Sequence, residues 1–171
     1  MSNQVRFDKN RTFLIGTLLS LLLAQPLLAS DEVEKGRYLV TIGGCNDCHT
    51  NNWLESGGQV AEDDWLTGTS IGWRGPWGTT YPSNLRLLAN DLSEEAWTVM
   101  LHTRTNRPPM PWISVNRLSE EDARAIYRFV KSLGSRGERM PTALDAQTEP
   151  TTPYILLAPV FPTVNHQNAA D

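Results

Sequence analysis

The sequence predicts an all-α fold: three main helices joined by irregular loops, followed by a proline-rich C-terminal extension. Three observations lead to it. Apolar residues recur at helical spacing in three segments of the chain. Residues 50 to 90 follow neither the helical period nor the two-residue alternation of a half-buried strand. The chain's only two cysteines sit beside a histidine in Cys45-Asn46-Asp47-Cys48-His49, where the first helical segment ends.

The first thirty residues read as a leader rather than as part of the fold. Arg6, Lys9 and Arg11 form a positive region, and Phe13 to Leu23 is a mostly apolar run of 11 residues. Gln25-Pro26 and Leu27-Leu28-Ala29-Ser30 then resemble a helix break and a cleavage region, with the cut expected after Ala29 or Ser30. The competing reading is a retained anchor, but the run falls short of the roughly 18 to 20 residues that span a bilayer. No segment after residue 30 is apolar enough to span one. Cleavage after Ala29 leaves 142 residues, enough for one modest core, with 12 basic against 18 acidic side chains. That acidic balance disfavours nucleic acid and anionic lipid as partners and suits steering towards a basic surface.

The first helix is expected over about Glu32 to Ile42. Val33, Gly36 and Val40 share one face, flanked by Leu39. A glycine inside a helix costs about 1 kcal/mol relative to alanine, and close approach of another helix would explain Gly36. Gly43-Gly44 ends the segment. Between residues 50 and 90, Gly57, Gly58, Gly68, Gly72, Gly75 and Gly78 recur among Trp53, Trp65, Trp73 and Trp77. The second helix is expected over Ser93 to Thr103, with a Ser93 cap, Glu94 and Glu95 at its positive end, and Trp97, Met100 and Leu101 facing inward. The third is the clearest: Ser119 caps, Ile126, Phe129, Val130 and Leu133 repeat at helical spacing, and Gly134 stops it. From Ser135 onward Pro141, Pro150, Pro153, Pro159 and Pro162 argue against helix. Tyr154 to Val160 is apolar and suited to docking in extended form, either on its own domain or on another subunit.

The chemistry concentrates in Cys45-Asn46-Asp47-Cys48-His49. Two thiols three positions apart can each form a thioether to one vinyl group of a haem, and the adjacent histidine is then held beneath the iron as an axial ligand. A thioredoxin-like redox pair would need an alternating strand–helix context. A zinc site would need a second ligand pair, and only His102 and His166 remain, 64 positions apart. An export leader agrees with thioether attachment, which bacterial systems carry out outside the cytoplasm. An electron-transfer haem also needs a sixth ligand, and methionine sulfur and histidine nitrogen are the candidates. Met110 lies 61 positions after His49 in Arg107-Pro108-Pro109-Met110-Pro111-Trp112, where prolines on both sides restrict the backbone that presents it. Met100 shares a face with core residues, Met140 follows the last helix, and His102 and His166 fall on a surface and in the tail.

In these features the chain resembles a mono-haem, class I type cytochrome c. More narrowly, it is similar to the cytochrome c modules associated with periplasmic alcohol and aldehyde dehydrogenases. The carrying residues are Gly36-Arg37-Tyr38-Leu39-Val40, Gly44-Cys45-Asn46-Asp47-Cys48-His49-Thr50, Gly75-Pro76-Trp77-Gly78-Thr79-Thr80-Tyr81 with Asn84, Pro109-Met110-Pro111-Trp112, and Ala125-Ile126-Tyr127 leading to Leu133. The match covers about residues 32 to 134, within a domain expected over 30–134, and excludes the extension at 135–171. The resemblance implies a small cytochrome c fold around one haem c attached through Cys45 and Cys48. It implies His49 and Met110 as the iron ligands, with Trp77, Tyr81 and Asn84 by the haem edge, and a crossing of the first and last helices near Gly36 and Tyr127.

The expected role is therefore that of a periplasmic one-electron carrier rather than an enzyme. Its partners would be redox proteins, such as a periplasmic alcohol or aldehyde dehydrogenase or a terminal oxidase. The alternatives are a relay subunit fixed in such a complex and, with an open sixth site, a gas-binding sensor. Dehydrogenase cytochrome subunits of this type carry three attachment motifs where this chain has one, so it does not correspond to that whole subunit.

Overall fold

The structure is a computed structural model that describes residues 30–161. The leader expected over residues 1–29 and the tail residue His166 lie outside the described residues. Among the described residues, no helix is long and apolar enough to cross a membrane. Helix α1 covers 30–42 and runs through a glycine turn into α2, Cys45–His49. There follow α3 (Leu85–Asp91), α4 (Glu94–Thr103), α5 (Trp112–Val115) and α6 (Glu120–Ser132).

Helix α6 forms the spine of the core. The Ser119 hydroxyl accepts from the Asp122 N–H at 3.0 Å, and Glu120, Glu121 and Asp122 place carboxylates at the positive end of the helix. Its apolar stripe buries Ala123, Ile126, Phe129 and Val130. Against it, α4 starts at a Ser93 cap and buries Trp97, Thr98 and Leu101, leaving Met100 half-buried. The Glu94 carboxylate receives Arg124 at 3.0 Å and Arg128 at 2.9 Å from α6, and Arg128 also pairs with Glu32 of α1. Glu94 thus ties the start of α4 to α6, and Arg128 carries the link on to Glu32 of α1.

Helix α1 crosses α6 at Gly36. A Cβ on Gly36 would lie 2.0 Å from the Ala125 carbonyl oxygen and 2.7 Å from the Phe129 Cβ, so the two backbones meet there with no room for a side chain. The crossing partners are Ala125 and Phe129 rather than Tyr127. Tyr127 turns towards α4, packing on Trp97 with the rings tilted at 60° and centroids 5.8 Å apart, and donating its hydroxyl to the Leu92 carbonyl at 2.9 Å.

Residues 50 to 90, expected to be irregular, contain a sheet as well as α3. Strand β1 (Gly72–Gly75) pairs antiparallel with β2 (Gly78–Thr80), and parallel with β3 (Tyr154–Leu156) from the C-terminal extension. The sheet is three short strands in the order β2-β1-β3, so helices dominate without making the chain purely α. The extension is correspondingly part of the domain. Leu144 exchanges both backbone hydrogen bonds with Thr79, at 3.0 and 2.8 Å. Arg74 in β1 reaches the carbonyls of Thr148 and Ala146 and the carboxylate of Glu149. Of the two docking modes open to the apolar run after Pro153, the structure shows docking on its own domain.

Gly36→Ala is expected to destabilise the fold by about 3 kcal/mol, because the methyl collides with unyielding backbone. The urea midpoint should fall with an unchanged slope. A midpoint within error of the parent protein would contradict the crossing.

Candidate functional site

Helix α2 is a single turn that places Cys45, Cys48 and His49 on one side, since positions i, i+3 and i+4 of a helix are neighbours. Cys45 packs against the hydrophobic core, while Cys48 opens onto a shallow surface cleft. Both thiols are free. Burial pushes the Cys45 thiol up to about 11 and also raises that of Cys48, with Asp47 adding to both. A redox pair works by stabilising a thiolate, and these surroundings do the reverse. Among the described residues, no group of three or more His, Cys, Asp or Glu side chains is arranged to hold a metal ion.

His49 is buried and held at two points. Its Nδ1–H donates to the Ser83 carbonyl at 2.7 Å, and its own carbonyl accepts from the Gly68 N–H at 2.7 Å. A carbonyl oxygen can only accept, so the proton must sit on Nδ1, leaving Nε2 with a bare lone pair. Among the described residues Nε2 has no hydrogen-bond partner. Burial also lowers the imidazole's proton affinity, against the opposing effect of the Ser83 bond. The ring is therefore a neutral, oriented nitrogen donor, the form in which histidine binds iron.

The residue after it is fixed as firmly. The buried Thr50 hydroxyl donates to Asn46 Oδ1 at 2.7 Å and accepts from the Leu66 N–H at 2.8 Å. Leu66 is fully buried with a left-handed backbone, φ 60, which a bulky residue seldom adopts. Its carbonyl accepts from the Leu85 N–H at 2.9 Å, and the Thr69 N–H reaches the Pro82 carbonyl at 3.3 Å. Residues 66–69 and 82–85 thus lie side by side, with His49 clamped between them. Gly68 makes this possible: a Cβ there would stand 2.8 Å from both the Pro82 carbonyl oxygen and the Asn84 N.

The segment before α3 also anchors the candidate sixth ligand. The Thr80 hydroxyl donates to the Pro108 carbonyl at 2.8 Å, two residues before Met110 and three before the carbonyl that holds His49. Beyond Met110, Asn116 donates to the Leu101 and Arg104 carbonyls, and the Arg104 guanidinium lies over the Trp112 ring. Met110 itself is half-buried. The Met100 sulfur already accepts from Arg104 at 3.7 Å. Met140 packs where a Gly68 Cβ would be, beside Pro82 and Asn84, on the Nδ1 side of His49. His102 is tied to the Leu118 carbonyl at 3.0 Å.

Trp77, Tyr81 and Asn84 separate in role. Asn84 is fully committed: Oδ1 caps α3 by accepting from Leu87, and Nδ2 donates to the Arg136 and Glu138 carbonyls. It therefore has no N–H left for a cofactor. The Tyr81 hydroxyl accepts from Thr152, tying β2 to the extension. Trp77 folds over Gly75 with a buried indole N–H that has no partner, and the N–H groups of Trp97 and Trp112 are in the same state. Buried donors are nearly always paired, so these orphans, of which Trp112 lies two residues from Met110, call for an acceptor. The carboxylates of a haem are acceptors of the required kind, and two thiols, one bare imidazole nitrogen and unpaired indole donors fit that group. Ser83 and Leu66 escaped the sequence reading, and Gly68 stood out there only as one of the recurring glycines, because all three act through backbone atoms.

The chain matches no protein-family model, no curated protein and no solved structure.

Gly68→Ala should force residues 82–84 away and break the Nδ1–H bond of His49. Gly57→Ala carries the same left-handed strain, φ 63 against 79, but has no atom within 4 Å. Both should lose about 1 kcal/mol from backbone strain, but only Gly68→Ala should lose the slowly exchanging Nδ1 proton in NMR spectra. Retention of that proton in Gly68→Ala would contradict the clamp.

Proposed function

We propose that this protein is an exported one-electron carrier holding a single haem c, attached through Cys45 and Cys48 and ligated by His49 and Met110. One observation carries the reading: the Nδ1–H bond to Ser83 leaves the buried His49 ring with an unprotonated Nε2, on the same helical turn as two free thiols. The orphan indole donors and the export-like leader at 1–29 support it. When bound, such a haem supplies a reversible one-electron change at iron, and a methionine opposite a histidine favours the ferrous state.

The chain's own residues do the rest. Cys45 and Cys48 fix the group's position covalently, Cys45 from the core side and Cys48 from the surface side. Ser83 keeps the His49 ring oriented and supplies the partial negative charge that strengthens its donor nitrogen. Prolines 109 and 111 restrict Met110, while Thr80 and Asn116 tie down its loop, so little rearrangement accompanies a change in charge. Trp77 and Trp112 offer N–H donors that would hydrogen-bond the carboxylates in place of water. The net acidic surface suits encounter with basic partner surfaces, and a periplasmic dehydrogenase or a terminal oxidase is the class of partner proposed.

Two measurements test the reading. In cells able to attach haem, the purified protein should keep its haem through acid–acetone extraction, and Cys45→Ser with Cys48→Ser should release it; retention in the double variant overturns the attachment. Met110→Ala should abolish the far-red absorption of ferric iron–sulfur ligation and lower the reduction potential; an unchanged far-red band overturns Met110 as ligand.

A further inference from the structure

The C-terminal strand builds a surface that the carrier reading does not by itself require. Five of the ten large exposed apolar side chains among the described residues fall between Tyr154 and Phe161. In the parallel pairing, Ile155 stands beside Trp73, so both side chains lie on the same face of the sheet. That face forms one wall of the cleft at Cys48, with Ile71, Trp53 and Leu54 completing its apolar lining. Ile155 is 44% exposed and Leu54 60%.

The cleft is shallow, about 40 Å³, which admits the tip of one side chain and is far below a small-molecule site. Its only charged lining residues are acidic, Asp47 and Glu55, both exposed. No Lys, Arg or His lines it. An apolar centre with a one-signed rim is the pattern of a transient protein contact, in which the rim steers and the centre holds. The outer edge of β3 carries no paired strand among the described residues, so the patch continues onto an open edge.

We propose that this cleft, walled by Ile155 of the extension, is the docking surface for a redox partner protein. The partner presents an apolar side chain ringed by lysine and arginine. The inference rests on the haem reading, because Cys48 then carries the thioether that lies closest to the docked partner. It gives the extension a role: β3 supplies Ile155, which completes the apolar centre beside Trp73.

The test is electron exchange between the haem-loaded protein and a lysine-rich cytochrome c, followed by stopped flow as ionic strength is raised. Each protein serves in turn as the reduced one, so a single electron leaves one iron and is gained by the other. An acidic blue-copper protein is the counter-probe. The rate with the basic probe should fall with salt and exceed that with the acidic probe. Asp47→Asn with Glu55→Gln should flatten the salt dependence, and Ile155→Ser should slow exchange about tenfold at unchanged reduction potential, as expected for loss of a central anchor. Val99→Ser, on α4 and still more exposed at 59%, should change nothing. Equal effects of Ile155→Ser and Val99→Ser, or an unaltered salt dependence in the acidic-residue variant, overturn the docking surface. A purified chain without haem instead overturns the function reading. In that event ¹⁵N shift mapping with the same basic probe decides the surface alone: perturbations confined to the cleft support it, and scattered or absent ones overturn it.

Discussion

The hydrogen bond from His49 Nδ1 to the Ser83 carbonyl is the constraint on which the arrangement of the chain depends. It fixes which ring nitrogen is protonated, and it can do so only if residues 82–84 stay beside residues 66–68. The neighbours of Ser83 secure that in three directions. Asn84 caps α3 and holds the start of the extension, Thr80 holds the loop that carries Met110, and Tyr81 meets Thr152. Five consecutive residues, 80 to 84, thus register one ligand against the other and both against the tail.

Around this segment the energetics divide by burial. Trp97, Phe129, Val40, Val130 and Leu66 are fully buried, and each such side chain contributes about 2 kcal/mol by removal from water. The ion pairs joining α1, α4 and α6 lie nearer the surface, where an isolated pair is worth roughly 0 to 1 kcal/mol. Their value is geometric, aligning helix ends whose attraction comes from the stripe beneath. Arg86 differs from them. It is 6% exposed and donates to the carbonyls of Asp63, Leu133 and Gly134, so a buried cation closes the end of α6 onto α3 and the turn at Glu62–Asp64.

The helices were legible because their signals are local. Ser93 and Ser119 cap within three residues of the N–H groups they serve, and the buried positions of α6 repeat at the helical period. The need for a glycine at a helix crossing was legible at Gly36, but not its partners, since Ala125, Tyr127 and Phe129 are adjacent on a helix and only packing separates them. The sheet was not legible. Its strands are three or four residues long, too short to show alternation, and the partner of Trp73 lies more than eighty positions away. The attachment motif and Met110 stood out by side-chain type. The acceptor for His49 did not, because a carbonyl carries no residue signature. Asn84 drew attention for the right reason, a polar side chain at a turn, but its amide serves the chain itself.

The parallel pairing of β1 with β3 has a consequence in time. A chain made from its N-terminus onward has β1, β2 and helices α1 to α6 in hand before residue 154 exists. Until then the edge of β1 stands open, and the cleft at Cys48 lacks one wall. The last strand is therefore a topological latch: α2 and its two thiols are complete in the chain while that side is still uncovered, and the wall closes only when the final stretch arrives. Any group added to Cys48 before that moment meets a cleft that still lacks the Ile155 wall it has in the finished protein.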